Sequence, residues 1–250
     1  MDVVLEQVPQ VFSAFPANDD CPVLLNTAEL LQAKDEQELI AEVNQLQRRR
    51  VRMVSVRRQR AMRIGIGLLQ HILEDSGLSV CTVAFAGGFT GTLNRSYSQA
   101  VDDTRRALEL AARLDAQGII VVPGSRGLHT YGHAERTIRQ GLEDCLDDAL
   151  RYRVNMLLPL NSVLGNNRDI FVPRNASRLD WVESMDSHRI RPMMMMRGCS
   201  PWGRLPDCWE RCLTSGGVLR ISGRTRRTLG RHAIVSEMLN CMENAIVPVG

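Results

Sequence analysis

Short runs of apolar residues alternate along the chain with longer stretches in which apolar positions recur every three or four residues. That alternation of strand-like and helix-like patterns is the signature of repeated βα units around a parallel sheet. Residues 23–26 predict a first strand, and Leu39, Ile40, Val43 and Leu46 recur at helical spacing across 36–49. A second strand is expected at 51–56 and a helix at 62–75, which Ser76-Gly77 stops before a third strand at 78–85. A glycine-rich loop, 86–91, leads to a helix over 97–114. Gln117-Gly118 then turns the chain into Ile119-Ile120-Val121-Val122-Pro123-Gly124, a β-branched run suited to a strand buried on both faces. A helix is expected at 133–152, strands at 154–159, 192–196 and 217–222, and helices at 202–214 and 233–244. Six to seven βα units result, with residues 245–249 left as the candidate eighth strand. No repeat and no linker interrupts the pattern. The sequence therefore predicts one α/β domain over 1–250, a (β/α)8-type TIM barrel whose eighth strand is incomplete or short.

Composition narrows the partners. At 250 residues, 44% hydrophobic and 24% charged, the chain suits one barrel with a sizeable core. The 4% aromatic share leaves few platforms on which single-stranded nucleic acid could stack. A net charge of +3 is too small to imply a nucleic acid or an anionic membrane, and no apolar stretch is long enough to span a bilayer. Lys34 is the only lysine, so almost all the positive charge is arginine, which suits planar recognition of phosphate and carboxylate. Seven scattered cysteines do not form a secreted disulfide framework. With no basic, apolar leader at the N-terminus, the expected setting is the reducing cytoplasm.

The candidate chemistry gathers in segments that a barrel would place at the C-terminal ends of its strands. His129 and His133, four apart after the fourth strand, are the candidate catalytic residues: they can bind a sugar hydroxyl, shuttle a proton or ligate a metal. Read blandly, they are a solvated loop histidine and a helix start. Asn26 ends the first strand, Arg57 and Arg58 end the second, Asn161 follows the fifth, and Arg197 and Arg220 attend the sixth and seventh. Of these Asn26, Arg58, Asn161, Arg197 and Arg220 are the candidate ligand-binding set, a ring suited to an anionic sugar. The alternative is that the arginines are solvated or paired with acids such as Asp207 and Glu210. The glycine-rich loop fits no phosphate or dinucleotide fingerprint and reads as a tight strand-to-helix turn. Cys199, Cys208 and Cys212 lack a fourth ligand, Met193 to Met196 read as strand core, and the basic segment 220–231 reads as a solvated loop rather than a DNA contact.

Several of these segments, in order and spacing, resemble the xylose-isomerase-like TIM-barrel family. They are Ser76-Gly77-Leu78 before the third strand, Ala86-Gly87-Gly88-Phe89-Thr90-Gly91 after it, the run from Asp102 to Ala111, Ile120-Val121-Val122-Pro123-Gly124, and, more weakly, Pro159-Leu160-Asn161 and Leu229-Gly230. The resemblance implies a sugar or sugar-phosphate isomerase or epimerase, with a divalent metal such as Mn, Mg, Co or Zn polarising a carbonyl. It also implies where the ligands should fall, and there this chain departs. The expected Glu is Leu158, the expected Asp-x-x-His falls on Arg197-Gly198-Cys199-Ser200, and the later positions fall near Arg220 and Gly223. The expectation is a divergent member with no metal and no other cofactor, binding an anionic carbohydrate or metabolite such as a sugar phosphate. An active isomerase or epimerase using a His base or unrecognised ligands is the first alternative, and a non-catalytic scaffold the second. Homo-oligomers are compatible with either, whereas membrane and nucleic acid are disfavoured as partners.

Overall fold

A computed structural model describes residues 24–26, 29–48, 51–91, 95–159, 181–182, 184–185, 187–196 and 218–221, with backbone only at 24–26, 29–30, 194–196 and 218–221. Eight strand segments, β1 (Leu24–Asn26), β2 (Glu29–Leu30), β3 (Met53–Arg57), β4 (Ser79–Gly87), β5 (Gly118–Val122), β6 (Asn155–Pro159), β7 (Ile190–Met196) and β8 (Val218–Ile221), pair in the order β1-β8-β7-β6-β5-β4-β3-β2. Every pairing is parallel. The two ends of that order are β1 and β2, and Asn26 and Glu29 can be no more than about 10 Å apart along so short a piece of chain. The sheet therefore closes on itself, with β1 and β2 sharing one barrel position.

The helices fill the connections: α1 (Glu36–Arg48), α2 (Arg58–Ile64), α3 (Ile66–Asp75), α4 (Tyr97–Arg113), α5 (Tyr131–Glu143) and α6 (Leu146–Tyr152). The sequence places the strands within about two residues and misses two helix breaks and one strand. The expected 62–75 helix begins earlier and is interrupted at Gly65, where φ is +97°, and the expected 133–152 helix is split by the turn at Asp144 and Cys145. The two-residue β2 is too short to show a period. The helices expected at 202–214 and 233–244 and the strand at 245–249 lie outside the described residues. The place beside β1 is taken by 218–221, with Leu24, Leu25 and Asn26 in register with Val218, Leu219 and Arg220.

Two apolar layers follow from the strand period of two. On β5 and β6, Ile119, Val121, Met156 and Leu158 pack outward in one cluster with helix residues such as Leu108, Ile138 and Leu142. The residues between them, Ile120 and Leu157, meet Ala84 and Met193 inside the barrel, with Phe85 against them. Deeper in, Ser55 and Thr82 are fully buried and share a 2.7 Å hydrogen bond, so neither hydroxyl is stranded.

Helix α4 is the best specified element. Ser96 and Gln99 form a capping box, and the buried face carries Ala100, Val101, Thr104, Ala107, Leu108 and Ala111. Thr104 donates to the Ala100 carbonyl and accepts from the Gly87 N–H at 3.1 Å, fastening the end of β4 to the helix. At its other neighbour, Tyr97 donates to Asp144 at 2.6 Å and Gln140 donates to the second carboxylate oxygen at 2.8 Å. These bonds, Tyr97's first, hold the Asp144 carboxyl below its ordinary range, while burial and then the same bond push the Tyr97 phenol up.

Two outcomes test this packing. Gly141 on α5 lies against Phe89, since a Cβ there would sit 2.9 Å from one ring carbon and nearer to two others. Gly141→Ala, which in an open helix gains about 1 kcal/mol, should instead lower stability by about 1–2 kcal/mol in urea unfolding, and adding Phe89→Leu should restore most of it. Tyr97→Phe should cost about 1 kcal/mol at pH 7. Because the folded carboxyl is depressed, that contribution is present above its ordinary value of 3.8 and disappears as pH falls through the folded value, so the deficit measured in urea should shrink below about pH 4.

Candidate functional site

The C-terminal ends of the strands carry the sites of barrels because the βα loops meet there. In this chain β3 ends on Arg57, β4 on Gly87, β5 on Val122 and β6 on Pro159. The loops after β4 and β5 are laced together. Gly88 N–H donates to the Val122 carbonyl at 2.8 Å, Phe89 N–H to that of Pro123 at 3.0 Å, and the Thr90 hydroxyl to that of Ser125 at 2.6 Å. Gly87, at φ +99°, is required here, because a Cβ would run into the Val122 carbonyl oxygen. Phe89, buried to 1% exposure, anchors the loop against α5. The glycine-rich segment is thus the tight turn the sequence suggests, with the Gly88 and Phe89 N–H groups spent on the neighbouring loop.

His129 adds a further tie, its Nε2 lying 3.2 Å from the Thr90 carbonyl oxygen. A carbonyl only accepts, so Nε2–H is the donor, and in the neutral ring Nδ1 is then the lone-pair nitrogen. His129 is half-buried and His133 exposed, their ring centroids 4.8 Å apart at 39°. Thr130 caps α5 through the His133 N–H, at 3.3 Å. Arg126 donates to the His129 carbonyl at 2.9 Å and stacks over Tyr131, 5.0 Å from the ring centre. The two candidate catalytic histidines therefore do come together.

The candidate ligand-binding residues divide. Arg58 is committed elsewhere: its guanidinium bonds the Asp103 carboxylate and, at 2.7 Å, the Asp103 carbonyl. Arg95 takes the other carboxylate oxygen at 2.7 Å. The acid that pairs Arg58 is thus Asp103 on α4, a partner 45 residues away for which the sequence gives no spacing signal. Arg57 is different. It lies two positions beyond Ser55, on the barrel's inner side by strand period, and its exposed guanidinium makes no ion pair with any described residue. Asn26 and Arg220 are register partners across the closing strand pair. Asn161 and Arg197 lie outside the described residues, as do Cys199, Cys208, Cys212, Gly223 and the basic loop 226–231.

The divalent metal implied by the resemblance finds no donor set among the described residues. Among the described residues no group of three or more His, Cys, Asp or Glu side chains can hold a metal ion. One part of the sequence argument needs correction, however. Leu158, where a metal-binding Glu is expected, packs outward with the helices, while Leu157 faces inward and Pro159 is in register with inward-facing Met193. Residue 158 is therefore not a mouth position, and its identity says nothing about ligand loss.

An all-parallel barrel closed on itself, with its chemistry-bearing loops at one end, is a TIM-type barrel. No protein family matches the chain by sequence, nor does any curated protein. Solved structures do. Among them are the 3-keto-D-glucoside 4-epimerase YcjR from E. coli, 13% identical with a TM-score of 0.69 over 87% of this chain and 88% of that one, and L-ribulose 3-epimerase, 11% identical with a TM-score of 0.63 over 89% and 96%. A family 2 AP endonuclease from Brucella melitensis is 12% identical with a TM-score of 0.60 over 79% of each chain. The fold is a TIM-type barrel shared with these structures. Identity this low establishes the fold alone. No helix among the described residues is long and apolar enough to cross a membrane.

The Asp103 node makes a graded prediction. The side chains of Arg58 and Asp103 are each 14% exposed, whereas that of Arg95 is 38% exposed. Asp103→Ala, which strands the largely buried Arg58, should cost about 2–3 kcal/mol. Arg95→Ala should cost under about 1 kcal/mol, and urea denaturation of the two variants measures the difference.

Proposed function

We propose that the barrel binds a small anionic carbohydrate, a sugar phosphate or sugar acid, at its C-terminal mouth, with little or no metal-dependent catalysis. The observation that carries this reading is Arg57, an exposed guanidinium with no ion-pair partner among the described residues, on the inner side of the last residue of β3. A bidentate guanidinium contact to phosphate or carboxylate is a strong anchor for such a ligand. Arg220 and Asn26 stand in register at the closing strand pair. The sugar epimerases among the structural neighbours support the carbohydrate part. The buried thiol of Cys145 suits a reducing cytoplasm, and burial pushes it up to about 12, which makes it inert. The inner apolar layer does not favour a scaffold, since functional barrels are packed there too.

A second reading is favoured by the Nε2–H bond of His129 to the Thr90 carbonyl, because in the neutral ring Nδ1 can then accept a proton from a carbon next to a carbonyl. Such a base would exchange substrate hydrogen with D2O, and His129→Ala would abolish that exchange.

The binding test is thermal shift and calorimetry against sugar phosphates, sugar acids and matched neutral sugars in metal-free buffer. Anionic ligands should raise Tm by mass action, and Arg57→Ala should weaken them about tenfold while leaving neutral sugars unchanged. Equal binding of neutral and anionic sugars, indifferent to Arg57, would reject the proposal.

A further inference from the structure

We infer that His129 and His133 form a two-histidine site for a borderline divalent transition metal such as Zn²⁺, in the loop that opens α5 and apart from the strand ends where the fold's usual metal would sit. The first support is the tautomer. His129 donates Nε2–H to the Thr90 carbonyl, which in the neutral ring leaves Nδ1 as the lone-pair nitrogen. A backbone carbonyl on the far ring N–H is the arrangement that orients metal-binding histidines and raises their basicity.

The second support is spacing. A metal–nitrogen bond of about 2.0–2.1 Å puts each ring centre about 3.2 Å from the metal, so two imidazoles on one ion have centres about 4.5–5.2 Å apart for angles of about 90–109°. The observed separation is 4.8 Å. Ring packing alone gives similar separations, but it neither fixes a tautomer nor leaves the second ring bare. His133 is exposed, and no described residue hydrogen-bonds its ring.

The surroundings are compatible. The nearby cation, Arg126, is engaged by the His129 carbonyl and the Tyr131 ring. Glu135 is drawn off by Arg139 at 3.4 Å, so water or an oxygen ligand would complete the coordination. The N-terminal end of α5 opposes a cation, but only by about two- to fivefold in affinity, less than the loss of one imidazole ligand would cost.

The inference stands apart from the anion-binding proposal, and its test uses the metal alone. Calorimetry of the full chain with Zn²⁺ should show a site of micromolar affinity that weakens at least tenfold in His133→Ala and in His129→Ala. His71→Ala, which removes an exposed histidine paired with Asp75 on α3, should leave it unchanged. Proton NMR should show the His129 and His133 imidazole signals shifting on Zn²⁺ addition, and the Co²⁺ form should lack thiolate charge-transfer absorption. No Zn²⁺ binding by the wild type, or undiminished binding in both variants, would overturn the site, and a thiolate band would reassign the metal to cysteine.

Discussion

The structure depends on closure at a single short stretch of chain. Asn26 lies in a strand paired with β8 and Glu29 in a strand paired with β3, so a few residues hold both edges of the sheet. Closure removes the exposed edges that an open parallel sheet would present. It also decides where the βα loops go, because seven parallel positions wound in one direction leave every such loop at the same end. The rest of the molecule builds outward from that ring: an inner apolar layer, an outer layer shared with the helices, and a mouth whose shape depends on how neighbouring loops hold one another.

The mouth is rigid where its loops are tied. Between β4 and β5 the connection is almost entirely backbone, with Gly87 permitting the close approach and Phe89 acting as the wedge behind it. His129 joins this lacing, as the Thr90 hydroxyl does, and it does so through the ring nitrogen that chemistry at Nδ1 does not need. Arg58 shows the opposite outcome. It begins α2 beside the mouth, yet it is spent on Asp103, and the same carboxylate also holds Arg95. Two adjacent arginines thus take separate roles: Arg58 braces α4 against the β3–α2 corner, while Arg57 makes no ion pair among the described residues.

How far the sequence could reveal this follows from the range of each signal. Strands such as 118–122 and the α4 helix were legible because their patterns are local: a β-branched run buried on both faces, and a capped stretch with a 3.6-residue stripe. The pairing of His129 with His133 was legible too, since four-residue spacing near a helix start brings rings together. The Arg58–Asp103 bond was not, because it spans two βα units and charge pairing over that distance leaves no periodic trace. The break at Gly65 and the two-residue β2 were lost for a related reason, being too short to alter a window average. The inward or outward sense of residue 158 required the register as well as the pattern, because a one-residue shift moves a side chain to the other face.

That last point bears on how the expected metal-ligand positions should be weighed. An argument from missing ligands is only as good as the facing of each position, and Leu158 fails that criterion. The stronger form of the argument rests on residues whose facing is known. On the inner side Ser55, Thr82, Ala84, Ile120, Leu157 and Met193 offer hydroxyls and hydrocarbon, and Arg57 offers a permanent cation. A guanidinium at the rim repels a divalent ion and attracts an anion by the same Coulomb term. Among the described strand ends, Arg57 is the feature on which the proposed preference for an anionic ligand rests. A metal held by the two histidines of the β5–α5 loop would have nitrogen donors on a separate loop, and so would not compete with that preference.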